Sequence, residues 1–427
     1  MLYFDFAAYV RQNWRAVFRS RGTPYRLTPK RAAFLFLFNL FYIILEIINH
    51  FFFLLDEIFF PAYRQQEIRN PVFIIGNPRS GTTFLHRLMF KDKDTFTAFT
   101  VWELAIAPSI TQRKIIWFFS KIGKAIGRPL SRAAQAINKS LRKGKAHVAH
   151  TVRIEEAEED EHIMFHCWAS ETMFNLYPYL DEVYPYFYFD REIPRERQDK
   201  IMRFYRRMLQ KHLYAHGGNQ ILLSKNPSHS SRIAALSREF PDAHFIKLVR
   251  NPFEALPSML DAMSIGINLF CDPPERYPFT QQHMELMKYY YLYPLEFFKD
   301  KPDKCKFIQY EELVAHPDVI TRKLYEWLNL PISPTFAAEL EAETKAEKHY
   351  HSQHRYPLEE MGLTEEQIFD EFREVFSIYA FDQHEFELPE EAFGKEQPEW
   401  ASRRKQKKTK GGRGGKQKSF PEHSIPN

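Results

Sequence analysis

The sequence predicts an α/β fold in three layers, with a mostly parallel central sheet and an N-terminal hydrophobic helical segment in front of it. Three observations predict this. Four short apolar runs, Pro71–Ile75, Ile221–Ser224, His244–Val249 and Lys306–Tyr310, are each followed by a helical pattern, the alternation of a parallel sheet. The first run enters a loop bracketed by Gly76 and Gly81, and a helix opens near Thr82 with Phe84, Leu85, Leu88 and Met89 on one face. Ahead of all this, Ala32 to Phe60 is dominated by Phe, Leu and Ile. At 427 residues the chain can hold one large α/β domain plus additions.

The N-terminal stretch is long enough to cross a bilayer, but polar residues interrupt it at Asn39, Glu46, Asn49, His50, Asp56 and Glu57. The steps 39, 46, 50 and 57 draw one narrow polar stripe along an otherwise apolar rod. Carboxylates at bilayer depth are costly. A helix lying in the interface, or one docked on the protein with its back to lipid or a partner, fits better than a plain span. Arg26, Lys30 and Arg31 precede it and suit lipid headgroups.

The loop reads GNPRSGTTFL from Gly76. Its glycine spacing is that of a P-loop, which aims backbone N–H groups and a helix N-terminus at an anion. A Walker loop ends Gly-Lys-Ser/Thr. Here Thr82 stands where that lysine belongs, and Arg79 supplies the cation from inside the loop. The third strand ends in Arg250, Asn251-Pro252 breaks it, and Ser258 follows on the next helix. Ligands of open parallel sheets bind beyond the strands' carboxyl ends, and a guanidinium fork with a hydroxyl suits a dianionic phosphate. Lys225 and Asn226 close the second strand in another polar corner.

The loop resembles the 5′-phosphosulfate loop of sulfotransferases that use 3′-phosphoadenosine 5′-phosphosulfate (PAPS), in the PRSGTT form of the tyrosylprotein and many bacterial or carbohydrate enzymes. Arg250 and Ser258 match that family's 3′-phosphate motif. The resemblance covers about Pro71 to Glu385. It implies a P-loop-like fold and transfer of a sulfuryl group to a hydroxyl or amine of a carbohydrate, lipid or small-molecule acceptor. It assigns Arg79 to charge on the sulfuryl group. Ser80, Gly81, Thr82 and Thr83 fall to the 5′-phosphate, and Arg250 and Ser258 to the 3′-phosphate. Arg355, in KHYHSQHRYPLEEMGL, becomes a second cation for the 3′-phosphate. Base candidates are Glu103 in VWELAIAPS, and His150, Glu155 and Glu159 around a run of six carboxylates between Glu155 and Glu161. Most of that run is expected on a solvated helix face. His162 and His166 stand four apart without a recognisable third ligand, so no metal is expected.

The expected organisation is 1–70 as an N-terminal helical, membrane-associated segment, 71–385 as the catalytic domain and 386–427 as a disordered basic tail. The tail holds nine Lys/Arg between Ser402 and Lys418, so a chain of net charge +5 is otherwise acidic, and no specific nucleic-acid partner is expected. An anionic membrane surface is the expected partner of the basic and apolar segments. The three cysteines, Cys167, Cys271 and Cys305, lie far apart and favour a reducing compartment. The expected location is the cytoplasm or the cytoplasmic face of a membrane, with membrane anchoring as the alternative. Oligomeric state is open. Two rival readings stand beside this one: a Mg²⁺-dependent P-loop nucleotide kinase, and a membrane-associated interaction protein whose fold has lost its chemistry.

Overall fold

The computed structural model describes residues 3–125 except 24, 156–347 except 272, and 358–381. The tail from 386 on lies outside the described residues. Two helices come first. α1 (Phe6–Phe18) is capped by Asp5, whose carboxylate accepts from the Ala8 amide at 2.9 Å. α2 (Pro29–Phe59) has Thr28 as its cap and proline at its first position, where the missing N–H costs nothing.

The polar stripe of α2 is docked on the protein. The Tyr42 hydroxyl donates to the Phe165 carbonyl at 2.5 Å, Glu46 pairs with His166 at 2.8 Å, and Asn49 accepts from Gln112 at 3.0 Å. Asp56 accepts from the Ile110 and Thr111 amides and pairs with Lys211 at 2.9 Å. The opposite face stays exposed. Phe36 and Phe41 keep 67% and 68% of their surface in solvent.

The sheet has five parallel strands, β1 (Val72–Gly76), β2 (Phe96–Thr97), β3 (Ile221–Lys225), β4 (His244–Val249) and β5 (Cys305–Gln309), in the order β2-β3-β1-β4-β5. Every residue of β1 is buried, as in a parallel sheet covered on both faces. Ile74 stands opposite Lys225 on one side and Ile246 on the other, and Gly76 stands opposite Leu248. This register gathers the loop after Gly76, Lys225, Arg250 and Tyr310 at one end of the sheet.

The four predicted strands are present, each within one residue of its expected bounds. β2 is an addition: two residues are too few to leave a period. After β3 a 3-10 turn (Pro227–Ser231) comes first, and an α-helix runs over Ile233–Glu239. The Asn226 side chain accepts from the Ser228 amide and sets that turn. Between β1 and β3 the described residues are mainly helical, with α3 (Thr82–Met89), α4 (Val101–Ala105), α5 (Ile110–Ala125), a helix over Arg195–Ala215, and a 3-10 segment over Asp160–Cys167. A Thr364–Gln367 capping box opens the helix Glu365–Glu371.

Residues through Glu371 form one compact unit, so α1 and α2 belong to the same body as the sheet. The chain from Phe372 forms a second unit, whose described part holds a helix over Arg373–Tyr379.

Candidate active site

The loop after β1 is built around two left-handed residues. Gly81 has φ +83°, and a Cβ there would sit 2.6 Å from the Tyr310 ring. Only glycine lets the first residue after β5 press this closely on the loop. Arg79 has φ +68°, a conformation costing an L-residue roughly 1–2 kcal/mol. Two partners hold it. Arg250 Nη1 donates to the Arg79 carbonyl at 3.0 Å, and Arg79 Nε donates to Ser258 Oγ at 2.9 Å. The Arg250 guanidinium lies over the Tyr310 ring, 4.3 Å from its centre, and pairs with Glu254.

The floor of the loop is polar and fully buried. Asn77 donates to the Met287 carbonyl at 3.2 Å and accepts from Lys247 Nζ at 3.0 Å. Lys247 also donates to the Tyr290 carbonyl at 2.7 Å, and burial pushes its ammonium down to about 7. Ser80 is completely buried, and its hydroxyl has no hydrogen-bond partner among the described residues. An orphaned buried hydroxyl is rare. Beside the N-terminus of α3 it fits a phosphate oxygen.

The carboxyl end of β3 adds a second cation. Lys225 Nζ lies 3.3 Å from Thr83 Oγ1 and 2.6 Å from Glu159 Oε1. Behind it the acidic run is not a solvated face, a correction to the sequence expectation. Asp160 and Glu161 are 2% and 1% exposed. Glu161 accepts from Asn226 at 3.0 Å and pairs with the buried Arg232, and Glu156 pairs with Arg87 at 2.8 Å. These cations compensate charges that would otherwise need water. Burial raises Asp160 to about 6, and Tyr205 donates to it. Burial, then the charge of Glu161, raises Glu171 to about 8 beside Ser228.

Glu103, an expected base, sits in a buried network. Its side chain accepts from the Thr100 amide at 3.0 Å, closing a capping box on α4. Its other oxygen lies 2.6 Å from His216 Nε2 and 3.8 Å from Arg113 Nε. Burial alone would raise the carboxyl, but Arg113, His212 and His216 outweigh it and hold it well below the usual range. Tyr205, which meets Asp160, and His212, which meets Thr97 of β2, are seven residues apart on one helix. That rise is about 10 Å, so Glu103 stands toward the sheet edge rather than over the loop.

Glu103, His212 and His216 also have the spacing of a metal site. However, the Arg113 guanidinium lies 3.1 Å from His212 Nδ1 and takes the cation's place. His162 and His166 do not converge. His162 bonds the Glu159 carbonyl at the surface, while His166 is buried between Glu46 and the Leu104 carbonyl.

The structure therefore brings Arg79, Ser80, Gly81, Thr82, Thr83, Arg250 and Ser258 into one neighbourhood and sets Glu103 apart. His150, Glu155 and Arg355 lie outside the described residues. The sequence reading missed Asn77, Lys247 and Glu171. A lysine inside the apolar run HFIKLV is the one visible signal among them.

A parallel α/β sheet with an anion-cradling loop at its switch point defines a nucleotide-phosphate-binding enzyme fold. The profile of the Sulfotransferase family matches residues 71–334, and the chain belongs to that family: it is an enzyme that moves a sulfuryl group from a donor to an acceptor. It is 27% identical over 332 residues to the omega-hydroxy-beta-dihydromenaquinone-9 sulfotransferase Stf3 of Mycobacterium bovis, covering 74% of this chain and 76% of that one. Among solved structures it resembles the sulfotransferase STF9 from Mycobacterium avium, with TM-score 0.60 and 21% identity over 76% of this chain and 80% of that one. The sulfotransferase STF1 from Mycobacterium tuberculosis H37Rv follows at TM-score 0.55 and 19% identity, covering 73% and 79%. These two show the same fold.

Proposed function

We propose that this chain transfers the sulfuryl group of PAPS to a hydroxyl of a lipid-like acceptor at a membrane surface. The observation that carries the donor half is the Arg79–Ser258 hydrogen bond, which joins the two proposed phosphate motifs beside the Ser80 hydroxyl, unpartnered among the described residues. The amides of Ser80, Gly81, Thr82 and Thr83, with the Ser80 hydroxyl, hold the 5′-phosphate. Arg250 and Ser258 hold the 3′-phosphate. Arg79 stabilises charge on the sulfuryl oxygens and on the bridging oxygen. When bound, PAPS supplies an activated sulfuryl group with a phosphate leaving group. Positioning and charge stabilisation then do most of the work, as in phosphoryl transfer.

For the base we favour Glu159 over Glu103. Glu159 is held by Lys225, whose ammonium also reaches the loop at Thr83. It accepts the acceptor's proton as the new O–S bond forms and the bridging S–O bond breaks, with that electron pair leaving on the nucleotide bisphosphate. The lipid-like acceptor is supported by the similarity to the omega-hydroxy-beta-dihydromenaquinone-9 sulfotransferase and by the exposed apolar face of α2. Catalysis resides in 71–385, with 1–70 as its membrane-facing segment and 386–427 as a basic tail. Three free, buried cysteines fit the cytoplasmic side of a membrane.

Adenosine 3′,5′-bisphosphate should raise the melting temperature, and Arg250→Ala should abolish the rise. Stabilisation by ATP·Mg²⁺ and not by the bisphosphate would sink the reading. With labelled PAPS and a panel of lipid, carbohydrate and phenolic acceptors, Arg79→Ala should lose turnover while still unfolding cooperatively.

A further inference from the structure

We infer that α2, α5 and the outer half of the helix Pro252–Cys271 form one docking face that lies flat in an anionic bilayer leaflet, and that the acceptor reaches Arg79 from that leaflet along Ile265 and Leu269. This rests on the lipid-acceptor reading above and adds the partner surface and the route.

α2 is fastened to the protein along its length. Arg31 Nη2 donates to the Leu176 carbonyl at 3.0 Å near one end, and Asp56 pairs with Lys211 near the other. Between these two residues the helix rises about 37 Å, more than the ~30 Å hydrocarbon core of a bilayer. A rod fastened this way cannot cross as a lone span. Its outer face is apolar: Leu37, Ile47 and Ile58 are 61%, 65% and 60% exposed. α5 extends that face with Phe118 and Phe119. Where the two helices meet, an open groove of about 630 Å³ is lined by Phe59, Phe60, Ile115 and Lys114. The Lys114 ammonium sits 5.3 Å from the centre of the Phe60 ring, the posture of a lysine that reaches from apolar surface to headgroups.

The third part points toward the active site. Ile265 and Leu269 follow Ser258 by seven and eleven residues, so they share its helix face. Ser258 is buried against Arg79, whereas Ile265 and Leu269 are 43% and 58% exposed. Leu269 is about 16 Å along the axis from Ser258. Its neighbour Phe270 packs on Phe34 of α2, with ring centres 4.4 Å apart. An apolar strip thus runs from α2 toward the Arg79 loop.

Charge identifies what covers this face. From Phe6 to Leu45 the chain carries seven Lys/Arg and no acid; Arg19, Arg21, Arg26 and Lys30 are exposed, while Arg31 is buried and Arg11 and Arg15 pair with Glu182 and Asp181. α5 has no acid and exposes Lys114 and Lys121, its Arg113 being buried. The acids of α2 are engaged on the protein side, Glu46 by His166, Asp56 by Lys211 and Glu57 by Arg64. A second copy would bring like charges together. Anionic headgroups complement them.

The test uses the full chain with vesicles of phosphatidylcholine alone or with about one-third phosphatidylglycerol. The wild type should co-sediment with the anionic vesicles. Phe41→Asn/Ile44→Asn/Phe51→Asn should weaken that binding roughly tenfold or more and keep the thermal shift with adenosine 3′,5′-bisphosphate. All three native cysteines are buried, so an environment-sensitive fluorophore can be placed on Leu37→Cys, Ile58→Cys, Leu269→Cys or, as a remote control, Glu341→Cys. The first three should blue-shift with anionic vesicles and the control should not. Depth-dependent quenching should place 37 and 58 at one depth. Opposite depths, no shift at 269, unchanged binding by the triple variant, or a wild-type dimer that the triple variant dissociates would each overturn the inference. A lost bisphosphate shift in the wild type would instead overturn the donor assignment.

Discussion

Glu103 and Glu159 are both carboxylates that the sequence offers as bases, and the structure treats them in opposite ways. Glu103 is 1% exposed, and its oxygens are taken by the Thr100 amide and His216, with Arg113 close by. Glu159 keeps a third of its side chain in solvent and faces Lys225, which touches the loop. A charge saturated by buried partners stabilises the fold, but it has no reason to take a proton at neutral pH. A partly exposed charge paired with Lys225 beside the loop is the one that the proposed mechanism uses as its base. Motif position alone does not show this difference; the neighbours do.

Three substitutions sharpen the contrast. Glu159→Gln should lower kcat by a factor of about 10²–10⁴, the usual worth of a general base, with little change in melting temperature. An unaltered kcat would remove Glu159 from the mechanism. Glu103→Gln should do the reverse. Uncoupling a buried pair costs about 3–5 kcal/mol, readable by urea unfolding, while activity per folded molecule stays near wild type. Thr100→Ala removes the hydroxyl side of the cap that Glu103 shares and should cost only about 1 kcal/mol.

Acidity adds a fourth test. The folded carboxyl of Glu103 is held below its ordinary value of 4.5. The stability it contributes is therefore complete above that pH and fades as pH falls below it. The α2 anchor behaves alike: burial raises Glu46, but His166 and His50 bring it down to about 2, so its contribution is lost between about 4.5 and 2. Glu103→Gln should flatten part of the acid slope of stability. An unchanged slope would mean that the buried cluster is not charged as described.

Much of this was legible in the chain. The strand-loop-helix of Pro71–Met89 and the Arg250–Ser258 pair are local patterns, and local patterns survive in sequence. The polar stripe of α2 was also visible, because a helix writes its buried face at a fixed period. The acidic run was misread over Glu156 to Glu161, because its partners Arg232, Lys225 and Arg87 come from distant segments that no spacing rule connects. The neighbours of Glu103 were hidden for the same reason: Arg113 and His212 stand on other helices. β2, with two residues, left no period to find.

One detail under the loop has a thermodynamic consequence. Lys247 is fully buried beneath Asn77, and burial lowers its ammonium from 10.5 to about 7. A neutral amine still has two N–H bonds, enough for Asn77 and the Tyr290 carbonyl. The unfolded chain keeps that proton until far higher pH. Folding near neutrality therefore expels a fraction of a proton into the buffer, and between about 7 and 10.5 this residue favours the folded state more as the solution becomes alkaline. The seat of the loop after β1 carries its own pH bias, set by a lysine buried beneath Asn77.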